Sequence, residues 1–331
     1  MSQAPFTVAF DDPELEKSVR TGLDAVETAL QDAVTADDEF LNDAARYLVD
    51  AGGKRFRPLV SLLAAHFGDP TRPEIVPSAV VCEITHLATL YHDDVMDEAR
   101  VRRGAESANA RWDNTVAILT GDFLFSRASS ILADLGPYAV RLQARTFERL
   151  VTGQIRETVG PYAGVDPIDH YLAVLADKTG SLIATAAEFG AHYAGAGPDV
   201  IESLRVFGEG IGVAFQISDD ILDIASESAE SGKTPGTDLR EGVATLPVLY
   251  ALRAGDATGA RLRDLVARPL VDDDQHAEAL RLLRASPAID EARTTLRDYA
   301  DTARATLAAL PDVPARVALE ALTELVIART G

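Results

Sequence analysis

Cysteine is almost absent from this sequence. The single cysteine among 331 residues, Cys82, excludes a disulfide within the chain and a metal site built from clustered thiolates. Histidine is also scarce, with six residues, so a metal site based on imidazole is disfavoured as well. The first residues lack a basic stretch followed by an apolar run, and with the cysteine count this predicts no signal peptide and a cytoplasmic location.

The chain also has few positively charged residues. Its 31 Lys and Arg residues face 52 Asp and Glu residues, which gives a formal net charge of −21. Nucleic-acid backbones and anionic membranes require basic patches, so we predict neither as a partner. The lysines are especially few, namely Lys17, Lys54, Lys178 and Lys233. Because arginine is the usual cation of this chain, a lysine indicates a place where a compact point charge is needed.

Strand-like alternation and long uninterrupted apolar runs are missing too. Aromatic residues make up only 6% of the chain, whereas alanine and leucine are abundant and recur at helical spacing almost throughout. These features predict an all-α protein folded as a single domain over residues 1–331, with no transmembrane segment. Among its helices we expect a buried one from residue 78 to about 98 and another over residues 167–193.

Two segments carry the same acidic pattern. Residues 91–104 read YHDDVMDEARVRRG and residues 215–223 read FQISDDILD. In each, carboxylates four residues apart share one face at the end of an apolar helix, where like charges repel and the helix dipole is unfavourable to anions. A divalent cation would remove both costs, and a set of oxygen ligands suits Mg²⁺. One such cluster would indicate only a solvated helix end. Two clusters predict metal ligands, namely Asp93, Asp94, Asp97, Asp219, Asp220 and Asp223.

Basic residues accompany these clusters at points where the helical pattern is interrupted. They lie in the glycine-rich segment AGGKRFRP, directly after the first acidic cluster, in the segment ADKTG, and in the Ser- and Gly-rich segment 226–238. Cations and carboxylates in separate places suggest two anionic groups, one bound through Mg²⁺ and the other bound directly. The whole set therefore predicts a diphosphate site.

The motifs GGKRFRP, HDDVMDEARVRRG, DKTG, AFQISDDILD and GKTPGTDLREGVATLP resemble those of the trans-type polyprenyl diphosphate synthases. The resemblance implies an isoprenoid synthase-type helical bundle around a deep central cavity, three Mg²⁺ ions, and a homodimer. It implies a reaction in which an allylic diphosphate ionises and isopentenyl diphosphate attacks the resulting cation. One departure is Val243, where many relatives carry a lysine.

The same resemblance implies a role for each candidate residue. The allylic diphosphate would be bound by Arg102, Lys178 and Lys233. Isopentenyl diphosphate would be bound by Lys54, Arg57, His86 and Arg103. Thr179 and Gln216 would present oxygen dipoles to the developing carbocation. A loop around residue 233 would close over the substrates and exclude water.

Product length is predicted from the helix that precedes the first acidic cluster. In the family, a bulky aromatic residue five positions before the first aspartate accompanies short products, whereas here that residue is Ala88, followed by Thr89. Small side chains leave the path of the growing chain open and favour a product of about C30–C50, although Phe123 and Phe125 could close it from another helix.

Four other interpretations stay open at this point. A short-chain synthase of the same family would make a product of about C15–C20. An all-α metal-dependent phosphohydrolase could use the His92–Asp93 pair. A terpene cyclase of the same fold would use the acids but not the second diphosphate site. A non-catalytic partner subunit is expected to have lost acidic residues, and here all six are present.

Overall fold

The computed structural model describes residues 10–226, 235–255 and 257–330, and these residues are mostly helical. In chain order the helices are α1 (Pro13–Ala33), α2 (Glu39–Asp50), α3 (Phe56–Ala65), α4 (Ile75–Met96), α5 (Ala108–Arg111), α6 (Asn114–Leu135), α7 (Pro137–Val159), α8 (Pro167–Leu175), α9 (Ser181–Tyr193), α10 (Pro198–Ala225), α11 (Thr237–Glu241), α12 (Leu246–Arg253), α13 (Ala257–Leu265), α14 (Asp273–Arg284), α15 (Ala288–Leu307) and α16 (Pro314–Ala328). The predicted all-α class is thereby confirmed.

Aspartate side chains begin several of these helices. Asp12 accepts a hydrogen bond from the Leu15 amide at 2.7 Å, and Asp166 accepts one from the Ile168 amide at 2.8 Å. Three further aspartates cap helices in the same way, namely Asp38, Asp113 and Asp272. Such caps satisfy backbone amides that have no partner within the helix. Part of the acidic excess of the chain therefore serves to define where helices start.

The described residues form two compact units. The first consists of described residues within Met1–Glu148, Ser181–Gly208 and Thr306–Ala321. Its centre is α4, which packs against α1, α3, α6 and α9. This helix is buried on nearly every side, as the apolar run in its sequence predicts, and its bounds of Ile75–Met96 lie within three residues of the expected ones. The first acidic cluster therefore lies at the carboxyl end of a largely buried helix.

The second unit consists of described residues within Arg149–Gly180, Glu209–Ala305 and Leu322–Gly331. It contains α8 and most of α10, including the second acidic cluster at the carboxyl end of α10. Gly210 of α10 lies directly against α15, where an added Cβ would stand 3.0 Å from the Ala303 Cβ. The prediction of a single domain over residues 1–331 stays a prediction.

Two local features differ from the sequence expectations. The expected helix over residues 167–193 is interrupted by a π-helical turn, Ala176–Gly180, between α8 and α9. A short antiparallel hairpin, β1 (Val101–Arg102) and β2 (Ala105–Glu106), follows the first acidic cluster, although no strand was predicted. Its two-residue turn places Arg103 and Gly104 at φ 53° and 78°, the left-handed values that a tight hairpin turn requires.

Helix α6 is long and apolar enough to cross a membrane by length and composition, with a mean hydropathy of 1.3 over 18 residues. The sequence prediction of no transmembrane segment used a stricter test, a run of about 18 uninterrupted apolar residues, and it stays a prediction. One third of the window (33%) is buried, and α6 packs along α4 in the first unit. Core helices of globular proteins meet the same test, so this feature is weak evidence for a membrane span.

Candidate active site

The first acidic cluster spans the last turn of α4 and the residue after it. Asp94 is fully buried, Asp93 is half-buried, and Asp97 is exposed. The Arg102 Nε donates to Asp94 Oδ1 at 2.6 Å, whereas Asp94 Oδ2 is buried without a hydrogen-bond partner. Burial raises the pKa of Asp94, and the neighbouring Arg102 opposes that rise. Hairpin residue Arg102 therefore contacts the middle carboxylate of this cluster.

A basic cluster that includes Arg57, His86 and Arg103 lies in the same unit, and His86 is in the middle of α4. Arg103 Nη1 donates to the Leu48 carbonyl at 2.6 Å and also to the Gly52 carbonyl. The Nε of Arg57 is buried without a hydrogen-bond partner. Burial, followed by the charge of Arg57, holds the pKa of His86 well below its usual value, so this imidazole is neutral at pH 7. Cations and a neutral imidazole are thus gathered here, close to Lys54 in the sequence.

The predicted product-length residues also lie in the first unit. Ala88 is fully buried in a hydrophobic core that includes residues of α2, α4 and α6. Thr89 is half-buried, and its hydroxyl donates to the His86 carbonyl at 2.8 Å. Phe123 and Phe125 of α6 pack against the same core as Ala88. The structure therefore brings Ala88 and both phenylalanines into one cluster.

The second acidic cluster contains a buried carboxylate that has other carboxylates near it. Asp220 is 4% exposed and accepts hydrogen bonds from Gln216 Nε2 at 3.1 Å and from the Tyr171 hydroxyl. Burial raises its pKa well above the usual value, and the negative charges of Asp238, Asp223 and Glu157 raise it further. Sequence reasoning missed Tyr171 and Asp238, which lie 49 and 18 positions away from Asp220.

The flanking aspartates of this cluster also have protein partners. Arg329 Nη2 donates to Asp219 Oδ1 and stacks over the Phe215 ring, with 4.8 Å between the guanidinium carbon and the ring centroid. Asp223 accepts hydrogen bonds from the amides of Thr237 and Asp238, at 3.1 and 3.3 Å. The start of α11 is therefore tied to the carboxyl end of α10.

The π-helical turn carries Lys178 and Thr179. Lys178 Nζ donates to Glu157 at 2.5 Å, and the Thr179 hydroxyl donates to Gln216 Oε1 at 3.4 Å. The turn packs closely on α7, because an added Cβ at Gly153 would lie 3.0 Å from the Lys178 amide nitrogen. Widened turns of this kind are frequent at functional sites, and this one fixes the direction in which Lys178 leaves the backbone.

The fit of these residues to a divalent metal rests on their charge and chemistry. Within residues 10–226, 235–255 and 257–330, no group of three or more His, Cys, Asp or Glu side chains is already arranged to hold an ion. Each cluster nevertheless concentrates carboxylate oxygens. Burial is the main cause of the raised pKa of Asp220, and the smaller contribution from neighbouring carboxylates is one that a cation would relieve. Oxygen donors of this kind fit Mg²⁺ or Ca²⁺. Lys233 lies outside the described residues, and Val243 is 38% exposed.

Comparisons with known proteins agree with these motifs. The sequence model of the family described as polyprenyl synthetase matches residues 38–283. Over 325 residues the chain is 52% identical to the nonaprenyl diphosphate synthase of Mycobacterium tuberculosis, and the match covers 98% of this chain and 97% of the relative.

Solved structures show the same likeness. The geranylgeranyl pyrophosphate synthase of Corynebacterium glutamicum, complexed with calcium and isoprenyl diphosphate, matches with a TM-score of 0.87 and 50% identity over 98% of this chain and 100% of that one. The decaprenyl diphosphate synthase of Rhodobacter capsulatus matches with a TM-score of 0.87 and 33% identity, over 96% of this chain and 99% of that one.

Proposed function

Because this chain belongs to the polyprenyl synthetase family, we propose that it makes a medium or long all-trans polyprenyl diphosphate, about C30–C50, from an allylic diphosphate and isopentenyl diphosphate. The predicted family, fold class and prenyltransferase reaction are confirmed. One observation supports the assignment of substrate-binding and metal-binding roles to these residues. On the single helix α4, neutral His86 lies beside a basic cluster, and Asp93 follows it by seven residues, two turns further along the same face.

Enzymes of this family depend on a divalent metal, and we propose Mg²⁺, with three ions per site. The first and last aspartates of the clusters would hold these ions, namely Asp93, Asp97, Asp219 and Asp223. When bound, Mg²⁺ neutralises charge on the leaving diphosphate. Asp94 and Asp220 would orient their neighbours, because both are buried and already accept hydrogen bonds from protein donors.

Two cations near the acids are proposed to bind the allylic diphosphate directly. Arg102 donates to Asp94 at 2.6 Å, and Lys178 donates to Glu157 at 2.5 Å. A diphosphate carries more charge than a carboxylate and offers more acceptor oxygens, so both side chains would turn to it when it binds. Lys233, outside the described residues, is proposed as a third ligand of the same group.

The basic cluster is proposed to bind isopentenyl diphosphate through Lys54, Arg57, His86 and Arg103. Arg57 supports this role, because its buried Nε has no hydrogen-bond partner and a phosphate oxygen would provide one. A neutral His86 retains one ring N–H that can donate to the same anion. Direct binding of this second diphosphate would leave the acidic clusters to serve the first.

The chemistry requires no nucleophilic side chain. Breaking the C–O bond of the allylic substrate gives a delocalised cation and diphosphate, the double bond of isopentenyl diphosphate attacks the cation, and a proton then leaves to the departed diphosphate. Thr179 and Gln216 would face the cation with their oxygen dipoles. Gln216 is well placed to do so, since its amide accepts from Thr179 and donates to Asp220, which fixes its orientation.

Two product lengths are considered for this enzyme. The small Ala88 and the similarity to a nonaprenyl diphosphate synthase favour a long product. A short product of about C15–C20 is the second candidate, because a geranylgeranyl pyrophosphate synthase is 50% identical to this chain. Ala88 is buried in the core against which Phe123 and Phe125 pack, an arrangement compatible with either length.

Product analysis after incubation tests the proposal. Purified protein would be supplied with Mg²⁺, farnesyl diphosphate and isopentenyl diphosphate, and the products separated by chain length. We expect elongated diphosphates with at least six isoprene units, and no elongation in EDTA. A product that stops at four units would establish the short-chain alternative. Free phosphate without elongation would instead support the phosphohydrolase, and a cyclic hydrocarbon would support the terpene cyclase.

We further infer a homodimer in the cytoplasm. Five exposed apolar residues follow one face of α7, and we call them the α7 stripe: Val140, Phe147, Val151, Ile155 and Val159. A run of this length on one helix suits a self-complementary contact with a second copy of the chain. Cys82 is buried as a free thiol, which is compatible with a reducing compartment.

A further inference from the structure

A buried carboxylate lies in the middle of the basic cluster. Glu83 is 2% exposed and precedes His86 by three residues on α4, so the two share a face. A carboxylate removed from water in this way is stable only when cations or hydrogen-bond donors compensate its charge. The residues that compensate it are therefore informative about what the cluster does.

Arg55 is the first of these residues. Its Nη1 donates to Glu83 Oε1 at 3.0 Å, while its Nε and Nη2 form a fork on the two oxygens of Glu27, at 2.7 and 3.0 Å. Nη2 also donates to the Val49 carbonyl at 3.2 Å. Arg55 has a left-handed backbone, with φ 50°, at the start of α3. Its guanidinium is thus fixed from several sides and forms part of the wall of the cluster.

Arg103 is the second residue near this carboxylate. Its Nη2 lies 4.0 Å from the same Glu83 oxygen, and its Nη1 is bound to the Leu48 and Gly52 carbonyls. An added Cβ at Gly53 would stand 3.0 Å from Arg103 Nη2 and 3.1 Å from Arg55 Nη1, so both guanidiniums crowd the glycine backbone. One carboxylate therefore faces two cations that come from separate parts of the sequence.

Positive charges outnumber negative charges in the basic cluster. Arg55, Arg57 and Arg103 carry three positive charges and the adjacent Lys54 carries a fourth, against the two negative charges of Glu27 and Glu83, and the neutral His86 adds none. Without Glu83, three guanidiniums would face one another with little compensation, and repulsion would drive them apart. With it they can stay together and still attract an anion.

We propose that Glu83 is a positioning residue for isopentenyl diphosphate, which holds Arg103 and, through Arg55, the glycine-rich segment in the arrangement that binds this substrate. The inference rests on the proposed function and adds to it a residue that touches neither substrate. A purely structural role would instead stabilise α4 and the neighbouring loop without distinguishing between the two substrates. That difference can be measured.

Steady-state kinetics of E83Q would test the proposal. The substitution keeps the size of the side chain and removes its charge, so we expect KM for isopentenyl diphosphate to rise about tenfold, because losing one partner of a buried charge pair leaves the other misplaced. KM for farnesyl diphosphate should change less than about twofold, since that substrate is bound elsewhere. The matched control is E188Q, which removes another buried carboxylate of the same unit, bound to Tyr138 at 2.6 Å. E188Q should leave both KM values unchanged.

Several outcomes would overturn the inference. They are an equal rise of KM for both substrates, no change in either, or kinetics that match those of E188Q. If E83Q does not fold, E83D serves as the test, since it keeps the charge but shortens the side chain, and an isopentenyl-specific rise of KM is again expected. Wild-type protein that fails to elongate would overturn the proposed function, whereas active wild type with unaffected variants would overturn only the role of Glu83.

Discussion

Asp94 and Asp220 hold equivalent places, as the middle carboxylates of their clusters, and their surroundings are alike. Both are buried, and each accepts a hydrogen bond from a side chain of its own unit, Arg102 in one case and Gln216 in the other. The outer aspartates Asp93 and Asp97 are more exposed. A repeated acidic motif therefore contains two kinds of carboxylate, one suited to orient the motif and the other suited to bind a cation.

Replacing Ala88 by phenylalanine should shorten the product. A88F would place an aromatic ring one to two turns before Asp93, where it should block the path of the growing chain along α4. Overpacking of the core should also cost about 1–3 kcal/mol of unfolding free energy. Chromatography of the polyprenyl products measures the effect. The control is A117F, in the same core on α6, and equal shortening in both variants would show general distortion of the core.

Arg329 should compete with metal for Asp219. Since its guanidinium is bound to one oxygen of that carboxylate and stacked on Phe215, its positive charge competes with Mg²⁺ for the same group. In R329Q we expect the Mg²⁺ concentration for half-maximal activity to fall about two- to fivefold. R316Q, which disrupts a surface ion pair with Asp312 and Glu320, serves as the control. An unchanged or increased Mg²⁺ requirement in R329Q would contradict this view.

At the level of elements, α3 and α9 meet at unusually close range. A Cβ added at Gly190 of α9 would stand 2.0 Å from the Ser61 carbonyl oxygen of α3, a backbone atom that cannot turn away. G190A should therefore lower the unfolding free energy by about 3 kcal/mol. Urea denaturation measures this loss. G197A, where nothing lies within 4 Å of the added Cβ, should be neutral within about 0.5 kcal/mol. Equal stability of both variants would refute close helix packing as the reason for the glycine.

Elements that depend on local spacing were predictable from the sequence. The burial of α4 follows from its apolar run, and its position before HDDVMD locates the first acidic cluster. The π-helical turn was not predicted, because the residues that hold it, Arg149 and Arg156 on Asp177, come from another helix. The hairpin was missed as well, although Gly104 after Arg103 was a signal for a two-residue turn.

The partners of the site residues could not be predicted from the sequence, for a related reason. Arg329 lies 110 residues from Asp219, and Glu83 lies 28 residues from Arg55, so no local pattern connects either pair. The sequence motifs identified which residue types the chemistry requires. They did not indicate that Arg102 and Lys178 are paired with carboxylates, because those ion pairs depend on tertiary packing.

At the scale of the whole molecule, the α7 stripe is expected to bury itself against a second copy. Wild-type protein should sediment as a dimer at micromolar concentration. I155E would place a charge at a position that is 57% exposed in the single chain and should shift the protein to monomer, because an unpaired charge is unfavourable in an apolar interface. V206E, at an exposed apolar residue outside the stripe, should remain dimeric. Monomeric wild type, or dimeric I155E, would contradict the assignment.

Each compact unit is assembled from three separate stretches of chain, and the first unit takes its last stretch, Thr306–Ala321, from close to the carboxyl terminus. Domains usually fold as they leave the ribosome, amino-terminal part first. Here the first unit is complete only after Thr306–Ala321 has been synthesised, and the second only after Leu322–Gly331. Truncations that remove Thr306–Ala321 should therefore be harmful well beyond the residues they remove, because they leave the first unit without one of its three stretches.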